Sequence, residues 1–525
     1  MASICNPILP GFHPDPSIVR VGEDFYVATS TFEWFPGVLI YHSRDLVHWR
    51  LAARPLARRS LLDMRGVEAS NGVWAPCLSH DGEHFYLVYS NVLGKTGAYW
   101  DVHNYVIRAG AIDGPWSEPV YANRSGFDPS LFHDDDGRKW FLNMIQDPRP
   151  GKNRFAGIVM QEFDWQAGGL VGAEQMIFQG TALGCTEGPH IYKREGFYYL
   201  VTAEGGTSWE HAVSVARSPS LRGPYEVDPE NPCLTAWNEP GAELQKAGHG
   251  SFVEAPDGSW YLAHLCARPL GEKRRCMLGR ETALQRIEWS ADGWPRLAGG
   301  GRAPRVEVGA PDLAPAPVPP GPDTLYFDTP ELPPVLQTLR EPFEAPWGSL
   351  RERRGWLRLR GRMSLYCTYE QSLVGRRIQH FHTTAETLLD FSPDHYLQTA
   401  GLAAYYDDQD WLYLAISHDE EQGRVLRLLV NKGHQLSEPL PPQPLPFGEI
   451  RLQARLEAPD LRFAWAPADS EDWRELPISL DASALSDEAG ARWRFTGAFF
   501  ILCAQNHTLA DRPADFRYFA YRPLS

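Results

Sequence analysis

The chain has 525 residues, of which 43% are hydrophobic and 22% charged, and its formal net charge is −16. This length exceeds one ordinary core and predicts two domains. The acidic balance argues against nucleic acid or an anionic membrane as a partner, and no apolar run is long enough to span a bilayer.

The N-terminal stretch, Met1-Ala2-Ser3-Ile4, lacks the basic segment and the apolar stretch of a secretory signal. The eight cysteines are scattered and contain no C-x-x-C pair, so they indicate neither a zinc site nor a compact disulfide framework. We therefore expect a cytoplasmic protein with reduced thiols.

A short motif recurs five times in the first 300 residues: a glycine is followed closely by an aromatic pair or by an aromatic and an aliphatic residue. Each glycine suits a hairpin turn, and the residues after it suit a buried strand. Five such hairpins at intervals of 55 to 62 residues predict a five-bladed β-propeller. The repeat glycines are Gly22, Gly82, Gly137, Gly196 and Gly258.

A polar-then-apolar unit stands seven to nine residues before each repeat glycine, and its first position carries Asp15, Ala75, Asp128, Glu187 and His249 in turn. Equivalent positions of a propeller are related by rotation about its axis, so we expect these side chains to converge at one mouth of the channel. A single Asp-Pro-Ser is usually only a turn. Three crowded carboxylates repel one another, however, and indicate a catalytic site.

Converging carboxylates are the usual machinery of glycoside hydrolysis, in which one group protonates the leaving oxygen and the other activates water or attacks the sugar. A third carboxylate can raise the pKa of the acid. A metal-dependent hydrolase would need more ligands at close spacing than His249 alone supplies. A catalytically silent sugar-binding propeller stays open as the alternative outside enzymes. Aromatic residues that can line a sugar pocket, or simply pack the blades, are Phe32, Trp34, Phe35 and Trp74.

Six stretches of the chain carry motifs of a known family: residues 6–19, 29–38, 126–133, 186–190, 202–207 and 278–283. They resemble glycoside hydrolase family 43, in particular its β-xylosidases with a C-terminal concanavalin-like β-sandwich. The resemblance implies an inverting hydrolase in which Asp15 is the general base and Glu187 the general acid. Asp128 would then tune the pKa and the position of that acid.

The resemblance also implies a sugar pocket around the carboxylates. Arg280 would lie beside the bound sugar ring and pair with the carboxylates, while Phe32, Trp74, Thr207 and His249 would line or support the pocket. No cofactor is required in this picture, although a structural calcium ion or an ordered water near His249 is also implied.

Gln146 departs from the family pattern, because the xylosidases of this family carry a tryptophan just before the residue that is Asp147 here. We expect Gln146 among the substrate-binding residues, where it would replace an apolar wall with an amide. This substitution leaves the preference between xylosides and arabinofuranosides open.

The segment from Pro304 to Pro322 contains seven prolines and predicts a semi-rigid linker over residues 304–323, between a propeller domain at 1–303 and a second domain at 324–525. Alternating apolar residues over 356–360 and 450–456 predict that the second domain is a β-sandwich. The resemblance makes it a concanavalin-like domain that closes the active site. Phe499 would reach the substrate site or, equally, belong to the core.

Taken together, the residues and the resemblance predict an all-β, cytoplasmic exo-β-1,4-xylosidase that releases xylose from the non-reducing end of short xylo-oligosaccharides, with α-L-arabinofuranosidase side activity. The alternative is an arabinofuranosidase as the main activity. The expected partner is a small oligosaccharide, with no nucleic acid and no membrane, and a homo-oligomer stays open.

Overall fold

The computed structural model describes residues 2–490 and 493–524. Within these ranges the chain forms 42 β-strands and two short 3₁₀-helices, and it divides into two compact units. The first unit comprises Met1–Met64, Asn71–Arg268 and Arg280–Val318, and the second comprises Arg65–Ser70, Pro269–Gly279 and Pro319–Ser525. The predicted all-β class is confirmed.

The first unit contains strands β1 to β24. In chain order these are β1 (Ser3–Cys5), β2 (Ser17–Val21), β3 (Asp24–Thr29), β4 (Trp34–Phe35), β5 (Leu39–Ser43), β6 (Arg50–Ala53), β7 (Gly72–His80), β8 (Phe85–Gly94), β9 (Asp101–Ala109), β10 (Val120–Tyr121), β11 (Ser130–His133), β12 (Lys139–Gln146), β13 (Phe155–Asp164), β14 (Gly169–Phe178), β15 (Glu187–Arg194), β16 (Phe197–Glu204), β17 (Ala212–Ser218), β18 (Glu226–Val227), β19 (Leu234–Thr235), β20 (Gln245–Glu254), β21 (Trp260–Ala267), β22 (Glu281–Trp289), β23 (Pro295–Leu297) and β24 (Glu307–Gly309).

Five antiparallel sheets, each formed by one contiguous segment of the described chain, are the blades of a propeller. They are β2-β3-β5-β6, β7-β8-β9-β10, β11-β12-β13-β14, β15-β16-β17-β18 with β19 beside β17, and β20-β21-β22-β23. The innermost strands touch in ring order, β2 with β7, β7 with β11, β11 with β15, β15 with β20 and β20 with β2. This closed ring confirms the predicted five-bladed β-propeller.

The repeat glycines all lie in the hairpin between the first and second strands of a blade, where their φ angles range from 62° to 98°. L side chains rarely adopt such angles, so glycine is the residue that lets each hairpin close. The hairpins in turn fix where each innermost strand begins and ends.

The apolar core of the first unit lies between neighbouring blades. Tyr86 and Val88 of blade 2 pack with Leu131 and Phe141 of blade 3. Similar clusters join blade 4 to blade 5 and blade 5 to blade 1. Because each innermost strand is buried from both sides, its residues hold fixed positions around the axis.

The proline-rich segment is partly built into the first unit. Strand β24 pairs in antiparallel register with β1, and Leu313 packs against the cluster that contains Ile4. The first compact unit therefore runs to Val318 and not to residue 303 as predicted. A pairing across some 300 residues of chain is not visible from local composition.

The second unit contains strands β25 to β42 and 3₁₀-helices at Ala482–Ala484 and Asp487–Ala489. In the described residues, neither helix is long and apolar enough to cross a membrane. The strands are β25 (Thr324–Tyr326), β26 (Thr338–Leu339), β27 (Gly348–Ser349), β28 (Leu357–Arg360), β29 (Ser372–Arg377), β30 (His382–Asp390), β31 (Gln398–Tyr405), β32 (Trp411–Asp419), β33 (Gly423–Lys432), β34 (Gln435–Ser437), β35 (Gln443–Pro444), β36 (Ile450–Glu457), β37 (Asp460–Pro467), β38 (Arg474–Glu475), β39 (Leu480–Asp481), β40 (Phe499–Asn506), β41 (Pro513–Phe516) and β42 (Tyr518–Pro523).

A sandwich of two antiparallel sheets forms the second unit. One sheet is centred on β28-β41-β30-β36-β37 and the other on β29-β40-β31-β32-β33. Leu389 and Leu452 from the first sheet share a core with Leu402, Leu414 and Phe500 from the second. The predicted β-sandwich is confirmed, and β36 shows the alternation of buried and more exposed residues that predicted it.

Candidate active site

The backbone takes the same uncommon conformation in four blades, either two residues before the innermost strand or within it. In blade 4 the equivalent conformation falls on Gly188, with φ 55°, directly after Glu187. Residues other than glycine seldom occupy this left-handed region, so its repetition around the axis marks a strained and specialised position. The four non-glycine residues are Asp15 (φ 55°), Ala75 (φ 30°), Asp128 (φ 54°) and His249 (φ 51°).

Irregular pairing accompanies this backbone in three blades. The register shifts between Trp74 and Cys77 in β7, between Glu187 and His190 in β15, and twice after Gln245 in β20. Bulges of this kind re-aim side chains and occur next to active sites. The bulges direct towards the axis side chains that would point elsewhere in a regularly pleated strand.

Asp15 is buried, with 5% of its surface exposed, and both of its carboxylate oxygens have partners. Arg280 donates from Nη1 to Oδ1 at 3.1 Å, and the Ser30 hydroxyl donates to Oδ2 at 2.6 Å. The same Ser30 oxygen accepts from the backbone N–H of Ala75 at 2.7 Å. A cation and a hydroxyl therefore stabilise negative charge on Asp15.

Asp128 and Glu187 are also buried, but their surroundings disfavour charge. Burial, followed by the negative charge of Asp15, raises the pKa of Glu187 to about 8, although Arg280 opposes the shift. Burial, then Glu187 and Asp15, raise the pKa of Asp128 well above its usual range. Because the two groups repel each other when charged, the pocket retains a proton near neutral pH.

His249 lies beside the carboxylates. Its Nδ1 is 3.9 Å from Oδ1 of Asp15 and 4.0 Å from Oδ2 of Asp128, beyond direct hydrogen-bond distance. Burial lowers the pKa of His249, so its ring is neutral at pH 7. Gly188 lies close to this ring, since a Cβ there would come within 2.9 Å of it. The blade 4 and blade 5 positions thus meet directly.

Arg280 extends the site on one side, where Nη1 also donates to the Thr207 hydroxyl at 3.0 Å. Its guanidinium lies over the ring of Phe32, 5.2 Å from the centroid, and Phe32 in turn contacts Trp74 with 5.9 Å between ring centroids. The structure therefore brings these predicted pocket residues together around the three carboxylates. The remaining two predicted residues are Gln146 and Phe499.

Gln146 directs both polar atoms of its side chain to the backbone of Trp100. Its Oε1 accepts from Trp100 N at 3.3 Å, and its Nε2 donates to Trp100 O at 3.0 Å. The hydrogen-bonding groups of this amide therefore join the neighbouring blade, and a contact between Gln146 and substrate stays a prediction. The adjacent aromatic side chain is that of Trp100, which the sequence did not single out.

Phe499 is the first residue of β40 and is fully buried, with the Arg377 guanidinium 5.6 Å from its ring centroid. Its neighbours Ala498 and Phe500 belong to the sandwich core, and Phe499 is itself one of the fully buried hydrophobic residues of the chain. Burial alone fits either of the two alternatives. A contact between Phe499 and substrate stays a prediction.

A calcium ion near His249 was implied by the family resemblance. Two further histidines lie near His249, since His190 and His211 each have a pKa lowered first by burial and then by His249. Calcium takes roughly six to eight oxygen ligands. Over the described ranges no group of three or more His, Cys, Asp or Glu is arranged to hold a metal. A structural calcium ion near His249 stays a prediction.

Three contributors to the site were not assigned a role from the sequence. Ser30 and Gly188 lie inside or beside the matched motifs but are small residues with no distinctive chemistry of their own. Trp100 contacts Gln146 across 46 positions of chain. No local pattern in the sequence marks Trp100.

The chain matches the family model described as glycosyl hydrolases family 43 over residues 4–295. It also matches the beta xylosidase C-terminal concanavalin A-like domain over residues 325–522. The first match covers more than half of the chain. The chain belongs to glycosyl hydrolase family 43. The predicted family, its enzymatic class and the concanavalin-like nature of the second domain are confirmed.

Relatives of this family 43 hydrolase align over its whole length. "Xylosidase/arabinosidase 43B" of Humicola insolens is 48% identical and aligns over 100% of this chain and 98% of its own. "Xylan 1,3-beta-xylosidase" of a Vibrio species is 46% identical, with 99% of each chain covered. The crystal structure of a xylan beta-1,4-xylosidase from Bacillus halodurans C-125 superimposes with a TM-score of 0.98 at 50% identity, covering 99% of this chain and 100% of the other.

Proposed function

We propose that this hydrolase is an inverting exo-β-1,4-xylosidase that removes xylose from the non-reducing end of short xylo-oligosaccharides, with α-L-arabinofuranosidase side activity. The observation that carries the proposal is the contrast within the carboxylate cluster. Glu187 is poised to hold a proton, with a pKa raised to about 8, while Arg280 and Ser30 stabilise negative charge on Asp15. A protonated acid and an ionised base on opposite sides of the scissile bond are what inverting hydrolysis needs.

In the proposed reaction Glu187 donates its proton to the glycosidic oxygen as the bond to the anomeric carbon breaks. Asp15 accepts a proton from the water that attacks the same carbon from the opposite face. The product sugar therefore has the inverted anomeric configuration. The cycle leaves a proton on Asp15 and a charge on Glu187, and exchange with solvent restores both groups.

Asp128 acts on Glu187 in this proposal. Its own pKa is raised by burial and then by Glu187, so the two groups compete for protons within one pocket. A negative charge on Asp128 would hold the proton on Glu187. Arg280 and Thr207, joined by a hydrogen bond, are the polar groups proposed to bind hydroxyls of the terminal sugar.

The choice of xylose is supported by the names of the relatives, two of which are xylosidases and one a xylosidase/arabinosidase. One of them is named for 1,3-linked xylan and another for 1,4-linked xylan, so the linkage belongs to the test. The second candidate is arabinofuranosidase as the main activity, favoured by the double name of the Humicola insolens relative.

The test measures kcat/KM of the wild type on p-nitrophenyl β-xyloside, p-nitrophenyl α-arabinofuranoside, and 1,4- and 1,3-linked xylobiose. We expect the highest value for the β-xyloside and a preference for the 1,4-linked disaccharide. Proton NMR of the first product should show α-xylose. Release of β-xylose would contradict inversion, and a higher value for the arabinofuranoside would establish the second candidate.

A cytoplasmic location and a homo-oligomeric assembly, both raised by the sequence, stay predictions. Cell fractionation of the source organism tests the first, and sedimentation velocity of the purified chain tests the second.

A further inference from the structure

Blade 5 is interrupted between its second and third strands. The ladder between β21 and β22 ends at Glu281, the first residue of β22. The segment Pro269–Gly279 belongs to the second unit, so the chain leaves the first unit after Arg268 and returns at Arg280. Arg280, whose guanidinium binds Asp15, is therefore the first residue after this excursion of the chain.

An ion pair closes the interruption. Arg268 donates from Nε to Oε2 of Glu281 at 2.7 Å and from Nη2 to Oε1 at 2.9 Å. The carboxylate side chain is fully buried, while 20% of the arginine side chain is exposed. Burial raises the pKa of Glu281, and the Arg268 guanidinium opposes that shift. Paired hydrogen bonds between a guanidinium and a carboxylate fix orientation as well as distance, so the two ends of the interruption are held together.

The same carboxylate also holds the segment that leads to Asp15. Oε1 of Glu281 accepts from the backbone N–H of Gly11 at 2.7 Å. Two residues further along, the backbone N–H of His13 donates to the carbonyl oxygen of Arg280 at 2.9 Å. The two segments that carry Asp15 and Arg280 are thus joined side by side.

The contact that this arrangement positions is the ion pair of the proposed base. Nη1 of Arg280 lies 3.1 Å from Oδ1 of Asp15, and both side chains are buried. The same Nη1 donates to the Thr207 hydroxyl at 3.0 Å. Because one nitrogen serves both partners, a small shift of the Arg280 backbone would disturb both contacts at once.

We propose that Arg268 and Glu281 are positioning residues of the hydrolytic site, which hold Arg280 in place beside Asp15. This inference rests on the proposed function. The cost of removing both charges from water offsets much of their attraction, so such a pair is explained better by the geometry that it fixes than by stability. A misplacement of about 1 Å at a reacting site can lower the rate about 10²-fold.

The experiment measures kcat/KM on p-nitrophenyl β-xyloside, and the free energy of unfolding in urea, for wild type, Arg268→Met and Arg268→Lys. We expect Arg268→Met to lower kcat/KM about 10- to 100-fold, because the backbone of Arg280 loses its anchor. A lysine keeps the charge but not the paired hydrogen bonds, so Arg268→Lys should recover at least about threefold of this loss.

Arg296→Met is the matched control. Arg296 lies in β23 and binds Asp228, which directly follows β18, so this ion pair joins the outer strands of blades 5 and 4. The Asp228 side chain is also fully buried, and 25% of the Arg296 side chain is exposed, nearly as for Arg268. We expect a similar loss in the free energy of unfolding, with kcat/KM within about threefold of wild type.

The double variant Arg268→Met/Arg280→Lys tests whether the pair acts through Arg280. Arg280→Lys already replaces the guanidinium that reaches Asp15, so adding Arg268→Met should lower kcat/KM by less than about threefold further. An additive loss would overturn the positioning role.

An unchanged kcat/KM in Arg268→Met overturns the inference, as do equal losses of kcat/KM in Arg268→Met and Arg296→Met. If Arg268→Met does not fold, Arg268→Lys and Arg296→Lys replace the methionine variants, and only the first should lower kcat/KM, by about threefold or more. A wild type inactive on the xyloside would instead contradict the proposed function itself, so the two failures are distinguishable.

Discussion

Glu187 and Glu204 are buried carboxylates in neighbouring strands of the same blade, and their surroundings differ completely. Glu204 accepts hydrogen bonds from the backbone N–H of Thr181 at 2.7 Å, from the Thr186 hydroxyl at 2.7 Å and from the Ser214 hydroxyl at 2.6 Å. Among the described residues none donates a hydrogen bond to Glu187, and burial raises its pKa to about 8.

The comparison shows that burial does not by itself decide what a carboxylate does. Three hydroxyl and amide donors replace the water that Glu204 loses, so its charge is stabilised and the group joins strands together. Glu187 loses water without replacement, so its proton becomes hard to remove near neutral pH. The first arrangement contributes to stability, and the second keeps an acid ready for chemistry.

The largest expected effect is the loss of catalysis in Glu187→Gln. Removing the proton donor should lower kcat for xylobiose by about 10²- to 10⁴-fold, the range attributed to general acid catalysis. The loss should be smaller for p-nitrophenyl xyloside, whose leaving group needs little protonation. Steady-state kinetics on both substrates measure this difference, and equal losses on both would contradict the assignment of Glu187 as the acid.

The matched change, Glu204→Gln, should act on stability. One amide cannot accept all the hydrogen bonds that the carboxylate accepts, so we expect the free energy of unfolding to fall by about 2–4 kcal/mol. The folded fraction should keep kcat within about threefold of wild type. Chemical denaturation gives the free energy of unfolding, and steady-state kinetics on xylobiose give kcat. A loss of kcat in a Glu204→Gln protein that unfolds with the same free energy as wild type would contradict the structural role of Glu204.

The next prediction concerns how kcat/KM and the free energy of unfolding depend on pH through Glu187. Because Glu187 must be protonated to act, kcat/KM should fall as pH rises through about 8, by about tenfold per pH unit beyond it. Folding also raises the pKa of Glu187 from its ordinary value near 4.5, so the free energy of unfolding should decrease as pH rises from 4.5 towards 8.

Glu187→Gln should abolish this alkaline loss of stability, since the glutamine does not titrate. Urea unfolding of wild type and variant at pH 5 and pH 8 measures the difference. A wild type whose stability rises over this interval, with the variant rising in parallel, would show that Glu187 is not the group responsible.

The smallest expected effect concerns the partner of the base. Ser30→Ala removes the hydrogen bond to Asp15 and leaves the Ala75 N–H without its acceptor. We expect kcat/KM to fall about 3- to 10-fold. Ser17→Ala is the control, because Ser17 accepts from Leu78 N in the same way without touching Asp15. Equal effects of both variants would mean that Ser30 acts only by joining blades.

The sequence predicted the repeat organisation, and it predicted that the functional residues occupy equivalent positions in the repeats. Both features follow from periodic patterns in the chain. Five glycines in equivalent hairpins sufficed to indicate the blades, and all five have the positive φ that such turns need. The roles of Asp15, Asp128 and Glu187 came from the family resemblance, and stay proposals until they are measured.

What could not be predicted depends on contacts between distant parts of the chain. Glu187 and Glu204 both occur in matched motifs, and only the positions of Thr181 and Ser214 in the fold make one of them a structural group. The pairing of Gln146 with Trp100 is invisible for the same reason. The strand at Glu307–Gly309 escaped prediction because its partner, β1, lies at the other end of the unit.

The left-handed residue repeated in the blades has a consequence for the side chains around the axis. In each blade, this backbone position directs one side chain towards the propeller axis, whatever the residue type. Blades 1 and 3 have a carboxylate at this position, and blade 5 has an imidazole. In blade 4 the carboxylate is that of Glu187, one residue earlier in the chain. Blade 2 has only the methyl group of Ala75. Ala75 is therefore the one of these five positions whose side chain carries no functional group, although its backbone also lies in the left-handed region.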